Sequence, residues 1–239
     1  ARAKNFRGTV APKDGMGAVI SGLEGYLKRQ GVQFSYGKPI SATEITQLRK
    51  SQPVVAALSA NAALKVAGTE GRVAEVLSKI EMLPLVSATF FFEQTDKRSL
   101  GFGVLFPAQE RRAALGVLKN DFIFDYRANI GLHSETWILG GANDPSVISL
   151  NDEQIRDRVL RERNAVFHLT DAPTSMRVTR WPTALPHYTT ELESDISAIQ
   201  GIHENLALVG NYLGSIGLSQ IVVRLKSLPK TLADEGKWS

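Results

Sequence analysis

Met16, Val19, Ile20, Leu23 and Leu27 recur at helical spacing and predict an amphipathic helix over about 15–30. Gly31 follows where a helix would end. Val32, Phe34 and Tyr36 then alternate with polar residues, the period of a strand. Residues 38–52 are polar, with weak strand candidates around Ile45 and Leu48. Val54 to Leu58 predicts a short buried strand, and Asn61 to Val66 the start of a helix. A further helix is expected over 70–80, with Val73, Val76, Leu77 and Ile80 on one face.

The pattern then changes. LVSATFFFE, residues 85–93, is an aromatic and β-branched run, and 102–106, 114–119 and 134–140 are further strand candidates. Strands this closely spaced favour an antiparallel or mixed sheet over βαβ units. Asn151 and Gln154 have capping-box spacing ahead of a helix over 152–163, whose stripe is Ile155, Val159 and Leu160. The charges from Glu153 to Arg163 are expected on its wet face. Met176 and Val178 alternate as in a strand. The chain then returns to α/β character. A short helix is expected over 195–199, a strand over 206–209, the glycine-rich turn GNYLGSIG over 210–217, and a last helix carrying Leu218, Ile221, Val222, Leu225 and Leu228. The fold class is α/β or α+β, an α/β unit split by a sheet-rich insertion.

Composition narrows the chemistry. The 239 residues suffice for one large domain or two modest ones. Net charge is +4, and the basic residues are scattered, without the basic stripe and interleaved aromatics of a nucleic-acid binder. There is no cysteine, which excludes disulfides, thiolate catalysis and cysteine-ligated metal. The four histidines, His133, His168, His187 and His203, lack metal-ligand spacing. None is recognisably paired with both a nucleophile and an orienting carboxylate, so a hydrolase reading finds no support. No apolar run has the length of a transmembrane helix. Ala1 in place of an initiating Met suggests a processed or excised fragment.

Two segments are candidates for ligand contact. Small residues in the 210–217 turn let backbone approach a bulky ligand, and the helix start that follows can hold an anion. The bland reading is a tight structural turn. RWPTALPHY, Arg180 to Tyr188, is stiffened by two prolines and flanked by aromatics. It suits either the wall of a cavity beside a planar ligand or a rigid connection against the core. Arg180 is a candidate anion contact, with a solvated arginine as the default.

From Phe6 onward the chain resembles the later part of the oxygen-dependent protoporphyrinogen oxidases, within the FAD-containing amine oxidase group. The resemblance is carried by Asp14-Gly15-Met16 with the following helix and Gly31-Val32, and by VVAALSANAALKV at 54–66. It continues through GFGVLFPAQERRAALGVLKNDFIF at 101–124, LGGANDP at 139–145, RWPTALPHY, and LALVGNYLGSIGL at 206–218. It implies a discontinuous FAD-binding domain, with segments over 1–68 and 181–239, and an inserted substrate-binding region of mixed sheet and helices over 69–180. By that resemblance Gly210 and Asn211 approach the phosphate and ribityl part of FAD, Ile216 and Gly217 the flavin end, and Val32 the adenine side. Phe102, Gly103, Phe106, Arg180 and Trp181 become substrate-pocket candidates, with Arg180 facing a propionate. The implied reaction oxidises a porphyrinogen to a porphyrin, with oxygen as acceptor and no dedicated side-chain acid or base.

The chain departs from that pattern twice. It contains no GxGxxG, so the pyrophosphate-binding βαβ segment is lacking, and Asn61 stands where members commonly have proline. The chain alone is therefore expected to bind FAD weakly or not at all, with an N-terminal FAD-binding segment as its partner. A cytoplasmic location is expected, with peripheral membrane contact left open. The alternatives are another amine- or carotenoid-oxidase-type flavoenzyme, and a noncatalytic substrate-binding or interaction module.

Overall fold

The computed structural model describes residues 10–68, 71–94, 101–199, 202–203 and 205–234. It divides into two compact units, one through Ile40 and one from Ser41. The first contains helix α1, Met16–Arg29, which buries none of its residues. Gly31 follows it at φ 87, and Val32 donates its N–H back to the Leu27 carbonyl, a C-terminal cap of the expected kind. The expected strand at Val32–Tyr36 does not form, because no described strand lies beside it to complete a ladder. Instead the Phe34 and Tyr36 rings stack at 5.9 Å beneath the Lys28 ammonium.

The second unit begins with helix α2, Ala42–Ser51, where the sequence offered only weak strand candidates. The correction has a local cause. Ser41 accepts the Glu44 N–H, and Glu44 reaches back to the Ser41 N–H, a full capping box. Ile45 is the buried side chain of that helix. Strand β1, Val54–Ala57, follows, then helices α3, Ala60–Ala67, and α4, Arg72–Ser78.

The long strand β2, Met82–Glu93, opens the inserted sheet. Strands β3, Gly103–Leu105, and β4, Gly116–Lys119, the short helix α5, Asn120–Ile123, and strand β5, Leu132–Gly140, come next. Helix α6, Asp152–Phe167, starts at the capping box of Asn151 and Gln154 that the sequence predicts. Strand β6 runs over Ser175–Pro186, so most of RWPTALPHY is strand rather than connection. Helix α7, Thr190–Ala198, begins five residues ahead of the expected start because the Thr189 hydroxyl caps the Leu192 N–H. Strands β7, Ile202–His203, and β8, Leu206–Val209, and helix α8, Leu218–Asp234, complete the order.

Two sheets result. In the smaller, ordered β1-β8-β7, β1 and β8 run parallel with Val54 opposite Leu206. A parallel pair needs a long crossover; here the whole inserted region lies within it. The larger sheet is antiparallel, ordered β3-β4-β5-β2-β6. Each sheet has its own core. Ala56, Ala63, Leu77, Ile196, Leu206 and Tyr212 belong to the first, and Val86, Phe90, Phe92, Trp137, Ile155 and Val159 to the second. Burying each large side chain contributes ~1.5–3 kcal/mol. The architecture is a mixed α/β fold with parallel and antiparallel sheet segments. No helix among the described residues is long and apolar enough to cross a membrane.

Candidate functional site

Strand β8 leads into the glycine turn. A Cβ at Gly210 would lie 2.2 Å from one Tyr212 ring atom and 2.9 Å from the Leu58 carbonyl oxygen, so only glycine fits. Gly214 holds φ 93, in the region glycine favours. Tyr188, just beyond β6, clamps this turn. Its hydroxyl donates to the Asn211 carbonyl and accepts the Gly214 N–H at 2.9 Å. The Asn211 side-chain amide donates to the Ala184 carbonyl of β6 at 3.3 Å. Tyr212 is fully buried, its hydroxyl finds no hydrogen-bond partner among the described residues, and burial pushes the phenol up to about 12. Ile216, Gly217 and Leu218 are exposed at the start of α8, and the space beside Gly217 is open. The exposed backbone at this helix start leaves room for a ligand to approach, and free N–H groups there can hold an anion or an electron-rich oxygen. Among these residues there is no counterpart of the pyrophosphate-binding glycine motif.

β6 also borders the larger sheet, so one strand joins the turn to that sheet. The register sorts the sheet residues into two faces. One face carries Trp181 and Leu85 side by side, Ile138, Ser87 and Thr179 in the next row, and Leu118, Thr136, Thr89 and Arg177 in the row after. Leu105 extends it at the far edge. None of these side chains is fully buried; Leu105 is 85 % exposed and Trp181 53 %. The Trp181 indole donates to the Ser87 hydroxyl at 3.3 Å, and the Thr89 and Thr136 hydroxyls share a hydrogen bond at 2.8 Å. The face is a broad apolar surface with a hydroxyl stripe, and it presents Arg177 as its cation.

The opposite face packs on α6 and holds a charged network. Glu135 accepts from Trp137 Nε1 and Arg163 Nε, both at 3.1 Å, and lies 3.5 Å from Lys119 Nζ. His133 bridges Asp121 at 2.9 Å and Glu135 at 3.2 Å. Burial alone would raise the Glu135 carboxyl; the His133 hydrogen bond and the charges of Arg163 and Lys119 outweigh it and hold the carboxyl down at about 2. Desolvation lowers the Lys119 ammonium despite Glu135. Arg163 also grips Asp171 at 2.7 Å and lies over the Phe92 ring at 3.7 Å. The sequence reading placed Arg163 on the wet face of its helix. The i, i+4 series of Ile155 and Val159 reaches Arg163 and was the signal that it points inward.

The sequence candidates separate. Gly210, Asn211, Ile216 and Gly217 share the turn. Trp181 is on the open sheet face and exposed Gly103 on its far-edge strand, opposite Leu118. Phe102, exposed, immediately precedes that strand. Phe106 lies with the α6-side core, stacked on Trp137 at 6.2 Å. Arg180 belongs to the same side. Its guanidinium donates to the Leu150 carbonyl and pairs with Asp152 at 2.7 Å, anchoring the start of α6. Val32 lies exposed in the unit through Ile40. Tyr188 and Arg177 escaped the residue-by-residue reading.

No protein-family model matches the chain. Protoporphyrinogen oxidase 2, chloroplastic/mitochondrial, of Arabidopsis thaliana is 26% identical over 154 residues, 61% of this chain and 30% of that protein. The mitochondrial protoporphyrinogen oxidase of Nicotiana tabacum is 24% identical over 152 residues, 60% of this chain and 30% of that one. Among solved structures, a protein assigned as a protoporphyrinogen oxidase from Exiguobacterium sp. 255-15 superposes with a TM-score of 0.62 at 15% identity, over 77% of this chain and 41% of that one. Cyclohexylamine oxidase from Brevibacterium oxydans gives 0.59 at 11% identity, over 77% and 43%. The fold therefore resembles, over part of the chain, an FAD-binding amine-oxidase-type domain. In sequence the chain is distantly similar to the plant protoporphyrinogen oxidases, and the likeness to the solved structures is one of fold. It spans about 30% of the length of the curated relatives it matches.

Proposed function

We propose that this chain forms the substrate-binding region and the later cofactor-domain segments of an FAD-dependent porphyrinogen oxidase. The observation that carries the reading is that β6 joins the exposed apolar sheet face directly to the glycine turn. Residues 1–68 and 181–239 then contribute to the cofactor domain, and 69–180 to the substrate region. Flavin supplies hydride-accepting chemistry, with oxygen as the final acceptor. The chain's residues bind and orient. Leu85, Ile138, Leu118 and Trp181 offer apolar area to a flat macrocycle, and Arg177 offers a cation to a carboxylate on it. Tyr188 fixes the turn that lies against the cofactor. The reaction needs no side-chain acid or base from this face.

A missing pyrophosphate motif makes FAD binding depend on a segment outside these residues. Titration of the chain with FAD is expected to show no high-affinity complex, and a stable yellow complex would overturn that expectation. Intact-mass measurement in source cells gives the length of the native polypeptide. In a native form carrying a glycine motif, anaerobic flavin reduction by protoporphyrinogen and not by amines is the expected result. Reduction by amines instead would favour the amine-oxidase reading.

A further inference from the structure

A cavity of about 520 Å³ lies on the α6 side of the larger sheet, away from the open face. It is bounded by the loop between β3 and β4, by the end of β5 and by α6. One wall is apolar, with Phe106, Pro107 and Leu115, and Phe106 is backed by the Trp137 ring. The other wall is ionic. Arg158 pairs with Asp144 at 2.5 Å. Arg112 lies 3.3 Å from Glu110 and 3.8 Å from Glu162. Arg111 differs from both. It is exposed, sits at φ 50, and its side chain has no hydrogen-bond or ion-pair partner among the described residues, its backbone N–H alone being engaged, by the Ala108 carbonyl.

Guanidinium presents five N–H donors in a planar fork that matches a carboxylate. Asp144 holds Arg158, and Glu110 and Glu162 share Arg112, so the unanswered fork is that of Arg111. Three carboxylates nearby would repel a dianion, whereas a single negative charge is matched by Arg111. A volume in the range of small-molecule sites, beside an apolar wall, calls for an organic body.

We propose that this cavity binds an organic monocarboxylate, its carboxylate on the Arg111 fork and its apolar body against Phe106 and Leu115. The site is independent of any flavin. It lies across the sheet from the face assigned above to the macrocycle.

The test is titration of the full chain with benzoate, followed by amide shifts in nitrogen-15 NMR. Benzamide serves as the neutral isostere and inorganic sulfate as the anion without a body. Saturable shifts at Arg111, Ala113, Leu115 and Asn143 are expected, with a benzoate Kd of about 1 mM, an affinity ordinary for a fragment. Arg111→Asn, which keeps a residue suited to positive φ, should weaken benzoate at least about tenfold. Arg111→Lys, which keeps the charge and loses the fork, should fall between. Benzamide binding as tightly as benzoate would remove the anion from the proposal, and sulfate matching benzoate would remove the organic body. Absence of saturable shifts up to about 20 mM benzoate would overturn the site itself. These three arms need only the unsubstituted chain, so the proposal stands or falls even if a variant fails to fold.

Discussion

Gly210 and Gly217 sit seven positions apart in one turn and have opposite surroundings. A methyl group at Gly210 would press on the buried Tyr212 ring and on the Leu58 carbonyl, neither of which can move without shifting the core of the smaller sheet. Overpacking of this kind costs ~1–3 kcal/mol. Gly210→Ala should therefore lower the urea unfolding midpoint by a corresponding amount. Gly217→Ala meets open space and should stay within ~0.5 kcal/mol. Equal losses in the two variants would contradict the packing described. At this scale the sequence was partly legible. The GNYLGSIG run announced a turn, but nothing in it showed that Tyr212 folds back over Gly210. Arg163 was legible by spacing and was hidden by its charge. Arg180 was read within a cavity wall or rigid connection rather than a strand, and its engagement with Leu150 and Asp152 depends on where α6 begins.

Among the elements, α5, β5 and α6 are tied together by charge rather than by apolar packing alone. Both ring nitrogens of His133 face carboxylate oxygens, on Asp121 of α5 and on Glu135 of its own strand. Only the imidazolium donates from both nitrogens. Burial disfavours that charge, but the hydrogen bonds to Glu135 and Asp121 outweigh it and raise the pKa. A raised histidine pKa contributes stability that is complete below the unfolded value, about 6.5, and is lost as pH rises through the folded value. The thermal midpoint should therefore fall as pH is raised above about 6.5, and His133→Gln should remove that part of the slope. Melting curves at closely spaced pH values measure this; identical slopes in the two proteins would refute it. The aromatic and β-branched run made β2 readable as a strand beforehand, and 134–140 marked most of β5, but which residues share a face follows from the register. The α2 helix was not, because its signal is the Ser41–Glu44 cap rather than an apolar stripe. Val32, Phe34 and Tyr36 had strand periodicity, but periodicity supplies no partner strand.

For the molecule as a whole, both apolar cores lie in the unit from Ser41 onward. No described residue of the unit through Ile40 is buried. A chain lacking residues 1–40 is therefore expected to keep its cooperative melt and near-ultraviolet circular dichroism, with the midpoint shifted by only a few degrees, on the order of 1 kcal/mol. Loss of cooperativity would show that the second unit depends on the first. An α/β unit split by a sheet-rich insertion was legible from composition shifts along the chain, while the parallel pairing of β1 with β8 was not, since it joins segments about 150 residues apart. The separation of Trp181 from Arg180 onto opposite faces was not, since it follows from the register of β6 on β2.

The borders of the larger sheet carry one more consequence. β3 has three residues. On the other border, pairing between β6 and β2 slips where Pro84 faces the stretch that includes Pro182, and exposed Arg177 stands further along the strand. A slipped, proline-bearing and charged rim is a poor template for a strand from another molecule. Broad as its exposed apolar face is, the sheet is thereby guarded against growing into fibrils by edge addition.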